Sequence, residues 1–165
     1  MNSVTDRIEK SVLLKAPRER VWLAISDSKR FGDWFGVTFD APFASGVRMV
    51  GTLSGTTVDS EVKKRMEAYT GMRFEFVVDR IEPQHHFSYR WHPFAIDTSV
   101  DYSGEPMTLV TFELEEAPGG TLLTIVESGF DSIPLARRAD AFEANGEGWA
   151  TQAELIEKYL ALAPA

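Results

Sequence analysis

The sequence predicts an α+β fold, in which a curved antiparallel β-sheet wraps around one long C-terminal helix. Between about residues 37 and 129, segments of alternating, β-branched and aromatic residues indicate several strands. After residue 129 the apolar residues recur at the spacing expected for one face of a helix. The apolar positions of this helix are Phe142, Trp149, Ala153, Ile156 and Leu160. Strands followed by a terminal helix are typical of an α+β fold with its helices on one face of the sheet.

The N-terminal part of the chain predicts one strand followed by two short helices. The segment RIEKSVLLKAP alternates loosely and indicates the strand. Pro17 fits the first turn of the helix that contains ERVWLAIS, because the missing N–H of proline costs nothing at that position. Ser28 can cap a second short helix, SKRFGDWFG, which ends at glycine.

The middle of the chain predicts an antiparallel meander. Its strand segments are GVRMVGTL, GMRFEFVVDRIEP, HHFSYRWH, MTLVTFELEE and GTLLTIVESGF. The last two form a hairpin around Pro118, Gly119 and Gly120. The segment VDSEVKKRMEAYTG predicts a helical turn between strands. A sheet of this length must curve, and the gap that it leaves against the helix is filled either by side chains or by a ligand.

The C-terminal helix contains two glycines, Gly146 and Gly148. Each costs about 1 kcal/mol relative to alanine in a helix interior. Two interpretations are open: the helix is broken near Asn145, or the small residues let it approach the sheet closely.

Length and composition restrict the class of protein. We expect residues 1–165 to form a single domain, since 165 residues are enough for a hydrophobic core. The chain has no cysteine, which excludes disulfides and thiolate chemistry. Its net charge of -8 argues against nucleic acid or an anionic membrane as partner. The N-terminus lacks a signal-peptide core and no apolar run reaches about 20 residues, so we expect a cytoplasmic protein without a membrane partner.

All three histidines lie within the segment HHFSYRWHPF. His85 and His86 point to opposite faces of a strand, and His86 and His92 are separated by about 20 Å at ~3.3 Å per residue. Ligands of one zinc ion must converge on the metal at about 2 Å. We therefore expect no metal site here, and solvated strand histidines instead.

The same segment places three aromatic residues on one strand face. Phe87, Tyr89 and Trp91 share a parity with His85, and they form either ordinary core beneath the C-terminal helix or the wall of a ligand cavity. The two interpretations are compatible. Tyr89 and Trp91 each carry a polar atom that needs a partner when buried, and these atoms could orient the polar end of a ligand.

Glu127 is the carboxylate of most interest, because it shares its parity with the apolar residues Leu123 and Ile125. A buried carboxylate costs several kcal/mol unless it is paired or protonated. Arg90, Arg137 or Arg138 is the natural partner. A structural ion pair, a ligand anchor and a general acid/base remain open as roles.

Other signals of catalysis or cation binding are weak. The sequence has no phosphate-binding glycine loop, no dinucleotide fingerprint and no G-x-S-x-G elbow. The acidic residues Asp97, Asp101 and Glu105 lie in a polar connection whose spacing matches no calcium loop, and we expect a solvated loop. We therefore expect no enzyme activity, no catalytic residues and no cofactor.

The order of four segments resembles the START-like, or SRPBCC, superfamily, which has the helix-grip fold. These segments are APRERVWLAISD with RFGDWFG, YTGMRFEFVVDRIEP with FSYRWH, VTFELEEAPGGTLLTIVESGF, and GEGWATQAELIEKYL. They extend from about residue 7 to residue 162. Within the superfamily, the chain is similar to bacterial single-domain members of the family of activators of the ninety-kilodalton heat-shock-protein ATPase.

The resemblance places Glu127 on the face of its strand that points toward the helix. It implies a small domain that binds an apolar or amphipathic molecule. It also implies that the loop around Trp34 and Phe35 closes one end of the cavity, although these residues could instead cap the core. The eukaryotic activators have an additional N-terminal domain that supplies part of the chaperone contact, and we expect no such domain within these 165 residues.

We expect a non-catalytic binding domain with a cavity for a small hydrophobic molecule. The alternatives are a co-chaperone-like module that binds a chaperone or another protein, and a cyclase-like enzyme that uses Glu127 or Tyr89 as acid/base. The candidate ligand contacts are Trp34, Phe35, Phe87, Tyr89, Trp91, Phe112, Ile125, Glu127 and Trp149.

Overall fold

The computed structural model describes residues 6–97 and 99–162 and has the helix-grip α+β fold. A seven-stranded antiparallel sheet curves around a long C-terminal helix, and two short helices follow the first strand. The elements are β1 (Arg7–Leu14), α1 (Arg18–Ser26), α2 (Ser28–Phe35), β2 (Val37–Phe39), β3 (Arg48–Leu53), α3 (Ser60–Met66), β4 (Arg73–Glu82), β5 (His86–Trp91), β6 (Thr108–Ala117), β7 (Gly120–Ser128) and α4 (Leu135–Leu162). Short 3-10 turns cover Glu67–Tyr69 and Phe130–Ser132.

The strand order is β1-β7-β6-β5-β4-β3-β2, so the first strand pairs with the last one. The β1–β7 register extends from Arg7 opposite Ser128 to Leu14 opposite Thr121. Strands β3 to β7 then follow one another as the predicted meander, with the β6–β7 hairpin closing where Ala117 pairs with Gly120. The short strand β2 before them was not predicted. Because β1 and β2 lie at opposite edges, α1 and α2 carry the chain from one edge of the sheet to the other.

The start and the end of α2 have separate causes. Asp27, rather than the predicted Ser28, caps the helix, because its carboxylate accepts a hydrogen bond from the Lys29 N–H at 3.1 Å. Gly36 ends it in the left-handed conformation with φ 92°, where a Cβ would lie 2.9 Å from the Thr56 nitrogen.

The space between the sheet and the helices is filled by aromatic side chains. Phe31 of α2 is fully buried at the centre of this core and is surrounded by other aromatic rings. Tyr89 stacks on Phe76 with ring centroids 4.0 Å apart. Such rings exclude water and leave little empty volume in the interior.

Helix α4 runs without a break from Leu135 to Leu162. A Cβ at Gly146 or Gly148 would meet no atom within 4 Å, so neither glycine lies close against the sheet. Both interpretations of these glycines are therefore wrong. Contacts elsewhere along the helix, such as the buried Trp149 and Ile156, stabilise it despite the glycines.

No helix in residues 6–97 and 99–162 is long and apolar enough to span a membrane.

Candidate functional site

The site is built around Glu127, which lies on β7 and is fully buried. Its Oε2 atom accepts hydrogen bonds from Trp91 Nε1 at 2.8 Å and from Thr108 Oγ1 at 2.5 Å. Its Oε1 atom accepts hydrogen bonds from Asn145 Nδ2 and from Trp149 Nε1, both at 2.8 Å. Two donors thus come from the sheet and two from α4.

Strand register brings the sheet donors to the carboxylate. Trp91 of β5 pairs with Thr108 of β6, and Glu127 of β7 pairs with Val110, two residues further along β6. Thr108 is therefore a diagonal neighbour of Glu127 on the same face of the sheet. Asn145 and Trp149 are four residues apart on α4, so they lie on the face that points at Glu127.

The four partners fit an ionised carboxylate. An indole N–H and an amide NH₂ can only donate, and Thr108 is the one partner that can also accept. A protonated carboxyl group could donate its hydrogen to Thr108 alone. A carboxylate in this position accepts all four hydrogen bonds, which take the place of water.

The predicted arginine partner of Glu127 is wrong. Arg90 lies on the outer face of β5, 3.9 Å from Asp79. Arg137 forms an ion pair with Glu105 at 2.7 Å, and Arg138 donates to the carbonyl of Ile133. Because neutral donors satisfy Glu127, the structural ion pair is excluded as its role.

A cleft opens beside this network, between α4 and the part of the sheet formed by β3, β4 and β5. It has two adjoining lobes that share Phe35, Leu53, Trp91 and Asn145. Lobe A has a volume of about 130 Å³ and lobe B about 180 Å³. Lobe A is further lined by Met72, Arg73, Phe74, His92, Phe94 and Ile96. Lobe B is further lined by Met66, Gly148, Trp149 and Gln152.

Three aromatic rings form one wall of the cleft. The ring centroids of Phe35, Trp91 and Trp149 lie 5.8 to 5.9 Å from one another, at the distances of favourable edge and tilted contacts. Both indole N–H groups are bound to Glu127, so the rings are held in place and expose apolar surface to the cleft.

Two polar side chains in the cleft have buried atoms without a partner. Both ring nitrogens of His92 and the Oε1 atom of Gln152 form no hydrogen bond within the part of the chain that the structure describes. Burial lowers the pKa of His92, with Arg137 and Arg48 acting in the same direction and Glu75 and Glu105 opposing it. His92 is therefore neutral near pH 7.

The structure divides the candidate ligand contacts into two groups. Phe35, Trp91 and Trp149 line the cleft, and Glu127 lies directly behind the two indoles. The other five are buried in the core and line neither lobe: Trp34, Phe87, Tyr89, Phe112 and Ile125. A ligand-binding role for any of the nine residues remains a prediction.

Two of these core residues carry a polar atom, and they differ in whether that atom has a hydrogen-bond partner. Trp34 donates its Nε1 hydrogen to the carbonyl of Ala24 at 2.8 Å, which fixes α2 against α1. The Tyr89 hydroxyl is buried and has no partner among the described residues. Burial, together with the negative charge of Glu127, raises the pKa of Tyr89 well above its usual value.

The histidines differ in their surroundings and exposure. His85 is exposed in the turn before β5, whereas His86 contacts Ser88 and Glu113, and both ring nitrogens of His92 are buried. The expected solvation of the three histidines is therefore wrong for His86 and His92. Among residues 6–97 and 99–162, no three His, Asp or Glu side chains are grouped to hold a metal ion.

In the acidic loop, each carboxylate has a local partner. Asp97 accepts from Ser99, Asp101 accepts from the Ser103 N–H, and Glu105 binds Arg137. Glu105 is thus a partly buried ion-pair residue and not part of a solvated loop.

Sequence reasoning missed Thr108, Asn145 and Gln152. The spacing of Asn145 and Gln152 relative to Trp149, four residues before it and three after it, could have indicated that they share its helical face. Thr108 could be found only from the register of β5, β6 and β7, which is a property of the folded sheet.

Comparisons with known proteins extend over nearly the whole chain. The sequence matches the family described as "Activator of Hsp90 ATPase homolog 1-like protein" over residues 15–161. A comparison with curated proteins found no match.

Solved structures share the fold. A protein from Arthrobacter aurescens has a TM-score of 0.72 and 18% identity, with 99% of this chain and 90% of that chain covered. A protein from Mesorhizobium loti has a TM-score of 0.69 and 22% identity, with coverages of 96% and 99%. A third, from Mycobacterium smegmatis, has a TM-score of 0.67 and 17% identity, with coverages of 96% and 92%. At these identities the likeness establishes the fold alone.

Proposed function

We propose that this chain, which belongs to the activator of Hsp90 ATPase homolog 1-like family, is a non-catalytic domain that binds a small hydrophobic or amphipathic molecule in the cleft of lobes A and B. The observation that carries the proposal is the aromatic wall of Phe35, Trp91 and Trp149, whose indoles are fixed by the buried Glu127. A preorganised apolar wall with a few polar groups is typical of ligand sites.

The size of the cleft restricts the ligand. Lobes of about 130 and 180 Å³ are smaller than the 300–1,000 Å³ of drug-sized pockets. An apolar cavity of about 150 Å³ accommodates a single benzene ring. The proposed ligand is therefore a molecule of one or two rings, or a larger one that extends from the cleft into solvent.

The absence of catalysis is proposed from the state of the two candidate acid/base groups. Both oxygens of Glu127 are occupied by donors, and no proton acceptor or donor of a substrate can reach them without breaking this network. The pKa of Tyr89 is raised and its hydroxyl is buried, so it is poorly suited to release a proton near neutral pH.

Native mass spectrometry of the purified protein tests the proposal. In Gly148→Leu the new side chain extends into lobe B, whereas Gly146→Leu places the same side chain outside both lobes. Leucine favours helix over glycine at both positions, so both variants should remain folded. We expect a bound small molecule in the wild type and in Gly146→Leu, and its loss in Gly148→Leu.

The proposal fails if no form carries a bound species and if the indole N–H signals of Trp91 and Trp149 do not shift in NMR spectra when one- and two-ring aromatic compounds are added.

A second candidate is a protein-interaction module that acts on a chaperone, and the family description favours it. The most exposed large apolar residues of α4, Leu135 and Leu162, lie at opposite ends of the helix, about 40 Å apart at 1.5 Å per residue. These two residues cannot form one patch, so a docking surface for a protein partner would need other exposed residues. A change in the ATPase rate of a bacterial Hsp90 on addition of this protein would favour it, and an unchanged rate would count against it.

A further inference from the structure

We infer that lobe B selects small aromatic ligands that carry an N–H or O–H donor and discriminates against aromatic acids. This inference rests on the proposed function and names the class of ligand. It follows from the orientation of two amide side chains, Gln152 and Asn145, and from the charge behind the aromatic wall.

The Gln152 amide has a fixed orientation. Its Nε2 group donates to the carbonyl of Phe35 at 3.4 Å. Because a backbone carbonyl can only accept, exchanging the amide nitrogen and oxygen would place two acceptors together. The Oε1 atom is therefore the free end of the side chain, and it is a buried acceptor without a partner in the described residues.

The orientation of the Asn145 amide is fixed in the same way, because its partner is a carboxylate, which is a stronger acceptor than a carbonyl. Its Nδ2 group donates to the Glu127 carboxylate at 2.8 Å, so its Oδ1 atom points away from Glu127. Asn145 lines both lobes, and its carbonyl oxygen is the polar atom that it can offer to a ligand.

These two acceptors flank an open slot on one face of α4. Asn145, Gly148 and Gln152 follow one another at spacings of three and four residues, which place them in line along the helix. Gly148 has no side chain, and no atom lies within 4 Å of where its Cβ would be. A flat ring can enter this slot and rest against Trp149, and its donor can reach the buried Gln152 Oε1 atom once that side chain turns toward the ring.

Charge acts against acids in this slot. Lobe B is lined by no charged side chain among the described residues, and the carboxylate of Glu127 lies directly behind Trp149 and Asn145. Arg73, an exposed cation, lines lobe A and not lobe B. An anionic ligand in lobe B would therefore face two acceptor oxygens and a like charge, with no cation to compensate.

Three probes of similar shape test the inference in NMR titrations that follow the indole N–H signals of Trp91 and Trp149. They are p-cresol, p-xylene and p-toluate, which present a donor, a methyl group and an anion. We expect p-cresol to bind about 2- to 12-fold more tightly than p-xylene, the worth of one neutral hydrogen bond. We expect p-toluate to bind at least about tenfold more weakly than p-xylene.

Two variants assign the effect to Gln152. Gln152→Met keeps the length of the side chain and removes the acceptor, so the p-cresol affinity should fall to that of p-xylene while the p-xylene affinity changes less than about twofold. Glu154→Met introduces the same residue at an exposed neighbouring position of α4 and should leave the p-cresol preference unchanged.

The outcomes separate this inference from the proposed function. If p-xylene binds as tightly as p-cresol, or p-toluate binds most tightly, lobe B has no donor preference and the inference is wrong, although the cleft remains a ligand site. If Gln152→Met keeps the preference, the acceptor is not Gln152 and the assignment fails. If none of the three probes binds, this inference is overturned, and the proposed function fails with it when native mass spectrometry also finds no bound species.

Discussion

Replacing Glu127 with glutamine removes one acceptor from the centre of the network. The amide NH₂ of the new side chain must face either Trp91 and Thr108 or Asn145 and Trp149, which all donate to the native carboxylate. Thr108 is the one partner whose hydroxyl can turn and accept. The amide will therefore point toward Thr108, and the indole N–H of Trp91 will lose its partner.

The magnitude of this change follows from two contributions. A buried donor without a partner costs about 1–3 kcal/mol, and the bonds of Asn145 and Trp149 weaken by about 1 kcal/mol together when their acceptor loses its charge. Removing a buried charge offsets part of this loss. After this offset, we expect Glu127→Gln to lower the free energy of unfolding by about 1–3 kcal/mol, and the melting temperature by roughly 2–12 °C.

Urea unfolding measures the stability, and NMR exchange of the indole N–H hydrogens with water locates its cause. In Glu127→Gln the Trp91 hydrogen should exchange at least about tenfold faster, while the Trp149 hydrogen stays protected. Glu115→Gln is the control, because this exposed carboxylate of β6 should change stability by less than about 0.5 kcal/mol. Equal or greater stability of Glu127→Gln, with both hydrogens still protected, would refute an ionised carboxylate that accepts four hydrogen bonds.

Three further predictions concern groups outside this network. Tyr89→Phe removes a buried hydroxyl without a partner among the described residues, so thermal unfolding should show unchanged stability or a gain of up to about 1 kcal/mol. A loss of stability would mean that a water molecule binds the hydroxyl in the wild type. In urea unfolding, Gly36→Ala should cost about 2–4 kcal/mol, because its Cβ would lie 2.9 Å from a backbone nitrogen at φ 92°, whereas Gly46→Ala, with open space at φ 78°, should cost about 1 kcal/mol. If the two variants lost the same stability, the close contact between the new Cβ of residue 36 and the Thr56 nitrogen would have no effect. Because burial lowers the pKa of His92 in the folded chain, the unfolded chain binds more protons below pH 6.5, and stability falls as the pH drops from 7.5 toward 5. His92→Asn should reduce this loss in urea unfolding at several pH values, and an unchanged pH profile would show that His92 does not contribute.

The strands and helices could be predicted because their signals are local. Alternation along MTLVTFELEE and GTLLTIVESGF indicates strands whatever lies beside them. It also gives Glu127 the same parity as Leu123 and Ile125, and the family resemblance placed that parity on the inner face. The C-terminal helix was also predictable from its apolar period, although the effect of Gly146 and Gly148 was not. A glycine lowers helix propensity by a known amount, but contacts elsewhere along the helix decide whether the helix continues.

The partners of Glu127 illustrate what local patterns leave out. Opposite charge suggested arginine, yet Arg90 has the outward parity of β5 and Arg137 is bound to Glu105. The actual donors lie on three separate elements, and sequence distance carries no information on their convergence. Likewise, the parity of Phe87 and Tyr89 predicts burial, but only packing decides that these rings fill the interior.

By itself, the sequence determined the fold class, the order of strands β1 and β3 to β7 along the chain, the family, the inner face of β5 and, through the family resemblance, that of β7. These are consequences of periods of two and 3.6 residues and of segments that keep a characteristic order. Tertiary structure alone decided that neutral donors hold Glu127 and that the cleft lies beside Gly148 instead of inside the sheet. The reason is that hydrogen bonding and cavity shape depend on side chains that meet from β5, β6, β7 and α4, and their meeting is fixed by strand register and helix packing.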